Sequence, residues 1–94
     1  MIEYTNGDAI RFLIAFTDTS GTAFDPSSTW GRVFDSASTV VNSFTALTKV
    51  NTGEYTADWQ SDPASHGYGV YAFEANGRSG VLNYRRREIL FRIV

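Results

Sequence analysis

The chain has 94 residues, no cysteine, one histidine and a formal net charge of −2 at pH 7. A chain of this length forms one domain with a thin core, which small proteins commonly reinforce with a disulfide, a structural metal or a partner. The composition excludes disulfides and thiolate metal sites. The lone histidine argues against a zinc site of ordinary composition, and the small net charge argues against a nucleic-acid binder.

The pattern of apolar and polar residues predicts strands along the whole chain and no helix. Apolar side chains alternate with more polar ones after Gly7, which predicts a first strand over residues 10–17. A short strand begins at 40–41 and continues over 44–50 after a kink. The remaining predicted strands cover residues 29–35, 54–59, 68–75 and 81–94.

Turn-forming residues lie between these strands. The runs are Asp18-Thr19-Ser20-Gly21, Asp25-Pro26-Ser27, Asn51-Thr52-Gly53 and Asn76-Gly77. Asn76-Gly77 is the strongest hairpin signal, although residues 78–80 make the connection longer than two residues. Short strands at this spacing favour an all-β fold, a single antiparallel β-sandwich of immunoglobulin-like type with about seven strands. We expect one such domain over residues 1–94.

Aromatic residues occupy alternate positions in several of these strands. They are Trp30, Phe34, Tyr55, Trp59, Tyr71 and Phe73. Their alternation predicts that they form the core, although a carbohydrate-stacking platform is the alternative. Trp30 and Trp59 are the members whose burial is least certain, because tryptophan is rarely fully buried.

Several landmarks together resemble a known kind of module. They are Gly7-Asp8, Asp18-Thr19-Ser20-Gly21, Asp25-Pro26-Ser27, Thr52-Gly53-Glu54-Tyr55 and Gly69-Val70-Tyr71. The chain resembles the immunoglobulin-like sandwiches of the macroglobulin and bacterial invasin kind, which also occur as stand-alone phage structural proteins. The resemblance implies a non-catalytic role in adhesion, spacing or assembly, without a cofactor.

Basic residues are concentrated at the C-terminal end. Residues 1–77 carry three basic and nine acidic side chains, a balance of −6, whereas residues 78–94 carry five arginines against one glutamate, a balance of +4. The candidate partner-binding residues are Tyr84, Arg85, Arg86, Arg87 and Arg92. Their guanidinium groups suit an acidic face or a phosphate on a partner. The alternative is that charges on an edge strand discourage unwanted sheet pairing.

Two further patterns contain residue types that can support chemistry. His66, in the loop after Asp62-Pro63, is the one candidate for acid–base work near neutral pH, but no nucleophile motif accompanies it. Four aspartates could gather to hold Ca²⁺, but aspartate is also common in turns, where it bonds its own backbone. These are Asp18, Asp25, Asp58 and Asp62. We therefore predict no catalytic, cofactor-binding or metal-ligating residue.

The N-terminus has neither the basic nor the apolar segment of a secretion signal, and no apolar run is long enough to span a membrane. We expect a non-enzymatic structural module, a phage or phage-derived component of a capsid, neck or tail. Its expected partners are other copies of itself or other virion proteins, not a membrane, a nucleic acid or a small molecule. It would reside in the virion, or in the cytoplasm of the producing cell before assembly. The alternative is a module that binds a carbohydrate or another cell-surface ligand.

Overall fold

The structure is a computed structural model that describes residues 1–5, 7–62, 67–80, 82–85 and 89–94, with the backbone alone for 82–85. These residues form nine strands and no helix. The strands are β1 (Ile2–Tyr4), β2 (Ala9–Ala15), β3 (Ser28–Phe34), β4 (Val40–Phe44), β5 (Thr48–Asn51), β6 (Glu54–Gln60), β7 (Gly69–Ser79), β8 (Leu82–Arg85) and β9 (Ile89–Ile93). None of these elements is a helix that could cross a membrane.

The strands form two sheets. The larger sheet has the order β1-β9-β7-β3-β4, with β8 also paired to β7, and the smaller sheet has the order β2-β6-β5. Strand β1 runs parallel to β9, and every other described pair is antiparallel. The prediction of an all-β antiparallel sandwich is confirmed, with the β1–β9 pair as the parallel exception among the described pairs and nine described strands where about seven were predicted. The immunoglobulin-like type within that class stays a prediction.

Two of the predicted strands are divided in the structure. Residues 44–50 do not continue one strand, because β4 ends at Phe44 in the larger sheet and β5 begins at Thr48 in the smaller one. The predicted strand 81–94 is also two strands, and both pair with β7. Strand β1 was not predicted, since three residues are too few to show an alternation.

The two parts of the last predicted strand do not share one register. Phe73 pairs with Ile89 and Asn76 pairs with Arg85, so three steps along β7 match four steps along its neighbour. Strands β8 and β9 are therefore not the one continuous strand predicted over residues 81–94, although Ile89, Phe91 and Ile93 do alternate with Leu90 and Arg92 within β9.

The hairpin predicted at Asn76-Gly77 is also misplaced. Both residues lie inside β7, which continues to Ser79 and pairs there with Leu82. Gly77 is needed for packing, because a Cβ atom at this position would lie 2.8 Å from Pro26 Cγ and 2.9 Å from Phe16 Cε1. The glycine thus marks a close approach of the chain to the core and not a turn.

The core is a layer of aromatic rings between the sheets. The inward positions of β2 are buried, as the alternation over 10–17 predicts. The ring of Phe12 in β2 stacks on Phe73 in β7, with centroids 4.1 Å apart and planes 3° from parallel. The ring centroid of Phe91 in β9 lies 5.4 Å from that of Phe12 and 5.7 Å from that of Tyr71. Phe12 thus contacts two strands of the larger sheet, as Trp59 of β6 does through Tyr71 and Phe91, and its stack on Phe73 has the shortest centroid distance of these contacts.

Two aspartates close equivalent turns. Asp18 follows the end of β2 and Asp35 follows β3, and each Oδ1 accepts hydrogen bonds from the backbone N–H groups two and four residues later, at 2.9–3.0 Å. Each aspartate also donates its own N–H to the carbonyl four residues later, at 2.9 Å. The turn interpretation of the run 18–21 is confirmed, and Asp18 has the role of a turn residue.

Asp25 joins the segment before β3 to the smaller sheet. Its Oδ1 accepts hydrogen bonds from the Gly53 N–H at 2.9 Å and the Tyr55 hydroxyl at 3.2 Å, and its Oδ2 accepts one from Lys49 Nζ at 2.6 Å. The Gly53 N–H bond and then the Lys49 ammonium hold the pKa of Asp25 below its ordinary value. The ionised carboxylate is thus the form that ties these segments together.

Replacing Phe12 by alanine should cost about 3–5 kcal/mol of the free energy of unfolding, because it removes the ring at the centre of the core and leaves a cavity. Urea denaturation followed by tryptophan fluorescence measures this loss. The matched control is Val50→Ala, where the side chain is 52% exposed and the change should stay within about 0.5 kcal/mol. Equal losses in the two variants would contradict the central position of Phe12.

Acid should destabilise the wild-type chain more steeply than Asp25→Asn. The folded-state pKa of Asp25 lies below its unfolded value. Its contribution is therefore present above the unfolded pKa of about 3.9 and is lost as the pH falls through the folded pKa. The measurement is Tm against pH for both chains. Tyr55→Phe is the control, since it keeps the carboxylate, Lys49 and the Gly53 N–H; an unchanged acid slope in Asp25→Asn would contradict this role.

Candidate functional site

The candidate site is the solvent side of the larger sheet, which we call the outer face. On β3, β7 and β9 the side chains alternate between the core and this face. Cross-strand pairs align Trp30 with Asn76, Arg32 with Glu74, Phe34 and Leu90 with Ala72, and Arg92 with Val70. The outer face is defined by Trp30, Arg32, Phe34, Val70, Ala72, Glu74, Asn76, Leu90 and Arg92.

The structure divides the aromatic residues that the sequence assigned to the core. Four are buried, namely Tyr55, Trp59, Tyr71 and Phe73. Trp30 and Phe34 are half-buried on the outer face instead, because β3 turns Thr29, Gly31 and Val33 toward the core. Gly31 is required there, since a Cβ atom would lie 2.9 Å from Phe73 Cζ. The core prediction is therefore wrong for Trp30 and Phe34, and Trp59 is too buried to serve as a stacking platform.

A buried carboxylate lies on this face. The Glu74 side chain is only 3% exposed, and its Oε1 accepts hydrogen bonds from Arg32 Nη2 at 2.9 Å and from Asn76 Nδ2 at 3.1 Å. The Arg32 guanidinium also lies 5.2 Å from the centroid of the Phe34 ring. Removing a carboxylate from water is costly unless charge and hydrogen bonds compensate it. Glu74 therefore holds Arg32 in place, and Arg32 in turn holds its position over Phe34.

A groove of about 500 Å³ crosses the outer face beside the turn that Asp35 closes. Its polar wall consists of Arg32, Asp35, Ser36, Ser38 and Glu74. Its apolar residues are Phe34, Val70, Tyr71, Ala72 and Leu90. The groove offers hydrogen-bonding groups beside a surface on which an apolar side chain or ring can pack, which is the mixed character of recognition surfaces.

The predicted partner-binding residues do not all fall on the described surface. Tyr84 and Arg85 lie in β8, paired with Gly77 and Asn76, and only their backbone is described. Arg86 and Arg87 lie outside the described residues. Arg92 does lie on the outer face, where its Nη1 is 3.5 Å from Oε2 of Glu3 on the neighbouring β1. Binding by these five residues stays a prediction.

Two of the aspartates considered as Ca²⁺ ligands are paired with basic side chains instead. His66 lies outside the described residues. Asp58 pairs with Arg11 across β2 and β6 at 2.8 and 3.1 Å, and Asp25 pairs with Lys49 at 2.6 Å. In the described ranges there is no group of three or more histidine, aspartate or glutamate side chains placed to hold a metal ion.

Sequence reasoning missed the residues that give this face its character. Arg32 alternates in phase with Trp30 and Phe34 along its strand, but the alternation does not say which face is buried. Glu74 is the one charge in the otherwise apolar stretch Gly69–Ala75 of β7. That isolated charge, and an arginine at an outward position of another strand, were the available signal. Their pairing depends on the strand order β7-β3, which the pattern does not contain.

We expect a double-mutant cycle to give a coupling of about 1.5–3 kcal/mol between Arg32 and Glu74, the range for hydrogen bonds to charged groups. The variants are Arg32→Met, Glu74→Gln and the double replacement, measured by urea denaturation. The exposed pair Arg11–Asp58, with side chains 67% and 60% exposed, is the control and should show a much smaller coupling. Similar couplings in the two pairs would contradict a structural role for the burial of Glu74.

Comparison of the chain with family models, with curated proteins and with solved structures finds no match. The function therefore has to be argued from the outer face itself, from its burial, charges and shape.

Proposed function

We propose that the chain is a non-catalytic assembly module that acts through protein–protein contacts made by the outer face. The observation that carries this proposal is the combination of Trp30, Arg32 and Phe34 on one strand with the half-exposed Leu90 across the sheet. Aromatic residues and arginine are more frequent in protein interfaces than on the rest of the protein surface, and they supply most of the binding energy at such sites.

The rigidity of this face supports the same proposal. Arg32 is fixed on Glu74 and lies over Phe34, so little side-chain freedom remains to be lost when a partner docks. Pre-organisation of this kind raises affinity by lowering the entropy cost of association. The Asp35 turn borders the groove and is closed by its own backbone hydrogen bonds.

The setting that we propose is a phage or phage-derived virion, in which the chain contacts other copies of itself or other virion proteins. This part rests on the resemblance to immunoglobulin-like phage structural modules. The strand order and one local contact are compatible with that type of sandwich. The Tyr71 hydroxyl, near the start of β7, donates a hydrogen bond to the Gly67 carbonyl four residues earlier, as the tyrosine corner of immunoglobulin-like domains does.

A second candidate function is the binding of a carbohydrate or a similar polar ligand. The groove favours it, since five polar residues face Phe34 and other apolar residues across a space of about 500 Å³. Trp30 adds a half-buried ring on the same face. Glycan-array binding that is lost in Phe34→Ala, with the fold intact, would support this candidate, and a blank array would count against it.

The assembly proposal predicts that Ala72→Arg lowers the mean mass of the particles that the purified chain forms. Ala72 lines the groove and pairs with Phe34 and Leu90, so an arginine there fills the docking surface with a long charged side chain. Size-exclusion chromatography with light scattering over a range of concentrations measures the mass against the 10.4 kDa monomer.

Val50→Arg is the matched control, because it adds the same charge at an exposed position of the smaller sheet. Circular dichroism and Tm show that each variant folds. A lower mass in Ala72→Arg than in both the wild type and Val50→Arg supports docking through the outer face. Equal masses in all three chains would contradict it.

A further inference from the structure

Strand β2 is the one described edge of the two sheets that is both long and regular. Strands β1 and β8 have three and four residues. The edge strands β4 and β5 carry irregular registers, between Val33 and Phe34 and between Lys49 and Asn51. Short edges, bulges and charged side chains are the devices that prevent sheets from pairing edge to edge. Strand β2 has seven residues in one unbroken register with β6, and its one charge, Arg11, is paired with Asp58 of β6.

The outward edge of β2 carries unused backbone groups in the described structure. Ser61 donates its N–H to the Asp8 carbonyl and Phe16 donates its N–H to the Gly53 carbonyl, so the even-numbered residues face β6. Hydrogen-bonded and non-hydrogen-bonded pairs alternate in an antiparallel ladder. The N–H and C=O groups of Arg11 and Leu13 therefore face away from β6, where no described strand pairs with them.

Exposed apolar side chains surround this edge. Leu13 is 71% exposed, Ile2 is 61% exposed and Leu90 is 50% exposed. These three residues and Ile89 line a cleft of about 200 Å³ between β2 and the β1–β9 edge of the larger sheet. Among the described residues that line the cleft, the one charge is Arg11, which is bound in bidentate fashion by Asp58 of its own sheet. An edge with open backbone groups and apolar flanks is suited to strand addition.

We propose that two copies of this chain pair through β2, antiparallel and across a two-fold axis at Phe12. The two smaller sheets then join into one continuous sheet with the order β5-β6-β2-β2-β6-β5, and the partner covers Leu13 and Ile2. This pairing is isologous, as two-fold interfaces are. The inference rests on the proposed assembly function and names a second copy as the partner, at the edge of the smaller sheet. Leu90 is the one described residue that lines both the groove and the cleft beside β2.

Charge and length select both the partner and the register. An axis at Phe12 pairs Arg11 with Leu13 of the partner and Ala9 with Ala15 of the partner, so all seven residues of β2 are used. It brings no like charges directly opposite each other, which would destabilise a cross-strand pair. An axis at Arg11 would set the two arginines opposite each other, and an axis at Leu13 would pair Ala9 with residue 17, beyond the strand. Strand β2 is thus complementary to its own antiparallel copy.

The first test compares Leu13→Lys with the control Val50→Lys by size-exclusion chromatography with light scattering. Leu13 points to solvent on the face away from the core, so the lysine leaves the pairing with β6 intact, and circular dichroism checks the fold. We expect the wild type and the control to contain the dimer and Leu13→Lys to lose it. A wild type that stays at 10.4 kDa, or a Leu13→Lys variant with unchanged mass, overturns the proposal.

The second test reads the register by disulfide cross-linking, which is clean because the natural chain contains no cysteine. Arg11→Cys and Leu13→Cys are oxidised separately and as a mixture. Paired residues on antiparallel strands lie within the Cα separation that a disulfide spans. We expect cross-linked dimers only in the mixture. Cross-linking of Leu13→Cys alone, or no cross-linking in the mixture, overturns the register at Phe12.

The variants also separate this inference from the assembly proposal. If Leu13→Lys lowers the mass and Ala72→Arg does not, the edge dimer stands and docking through the outer face is wrong. If Ala72→Arg lowers the mass and Leu13→Lys does not, the outer face stands and the edge dimer is wrong.

Discussion

The stack of Phe12 on Phe73 joins the two sheets, and the rest of the structure is arranged around it. Phe73 lies in β7, which pairs with β3 on one side and with β8 and β9 on the other, so one ring contact couples the smaller sheet to the centre of the larger one. Position 31 requires glycine because the Phe73 ring occupies the space that a Cβ atom would take. A chain that lacks disulfides depends on such packing for its stability.

The packing of aromatic rings between the sheets determines which side chains face solvent. Because β3 sends Gly31 and Val33 inward, Trp30 and Phe34 are left on the outer face. Glu74 is buried there with Arg32, and this pair fixes the guanidinium on a surface that is otherwise partly apolar. In β2, at the edge of the smaller sheet, the alternation of side chains buries Phe12 and exposes Leu13. The two surfaces proposed for contacts are therefore consequences of how the core is packed.

The sequence predicts the class of fold well and the surfaces poorly. Alternation over 10–17 identified β2 and its buried side, because every inward residue there is large and apolar. The same rule failed for Trp30 and Phe34, since the residues that face the core from β3 are small. Gly77 resembled a turn residue because close packing and turn geometry both require glycine. The pairing of Arg32 with Glu74 depends on strand order, which local patterns do not encode.

Amide hydrogen exchange at several protein concentrations tests the account most directly. We predict that Tyr71 and Phe73, in the central strand, exchange slowest at every concentration. The amides of Phe12 and Ile14, which face β6, should be protected throughout, whereas those of Arg11 and Leu13 should exchange rapidly in dilute solution and slowly in concentrated solution. Rapid exchange at Phe73, or rates at Arg11 and Leu13 that do not change with concentration, would contradict a sandwich held by its aromatic layer and closed by a second copy.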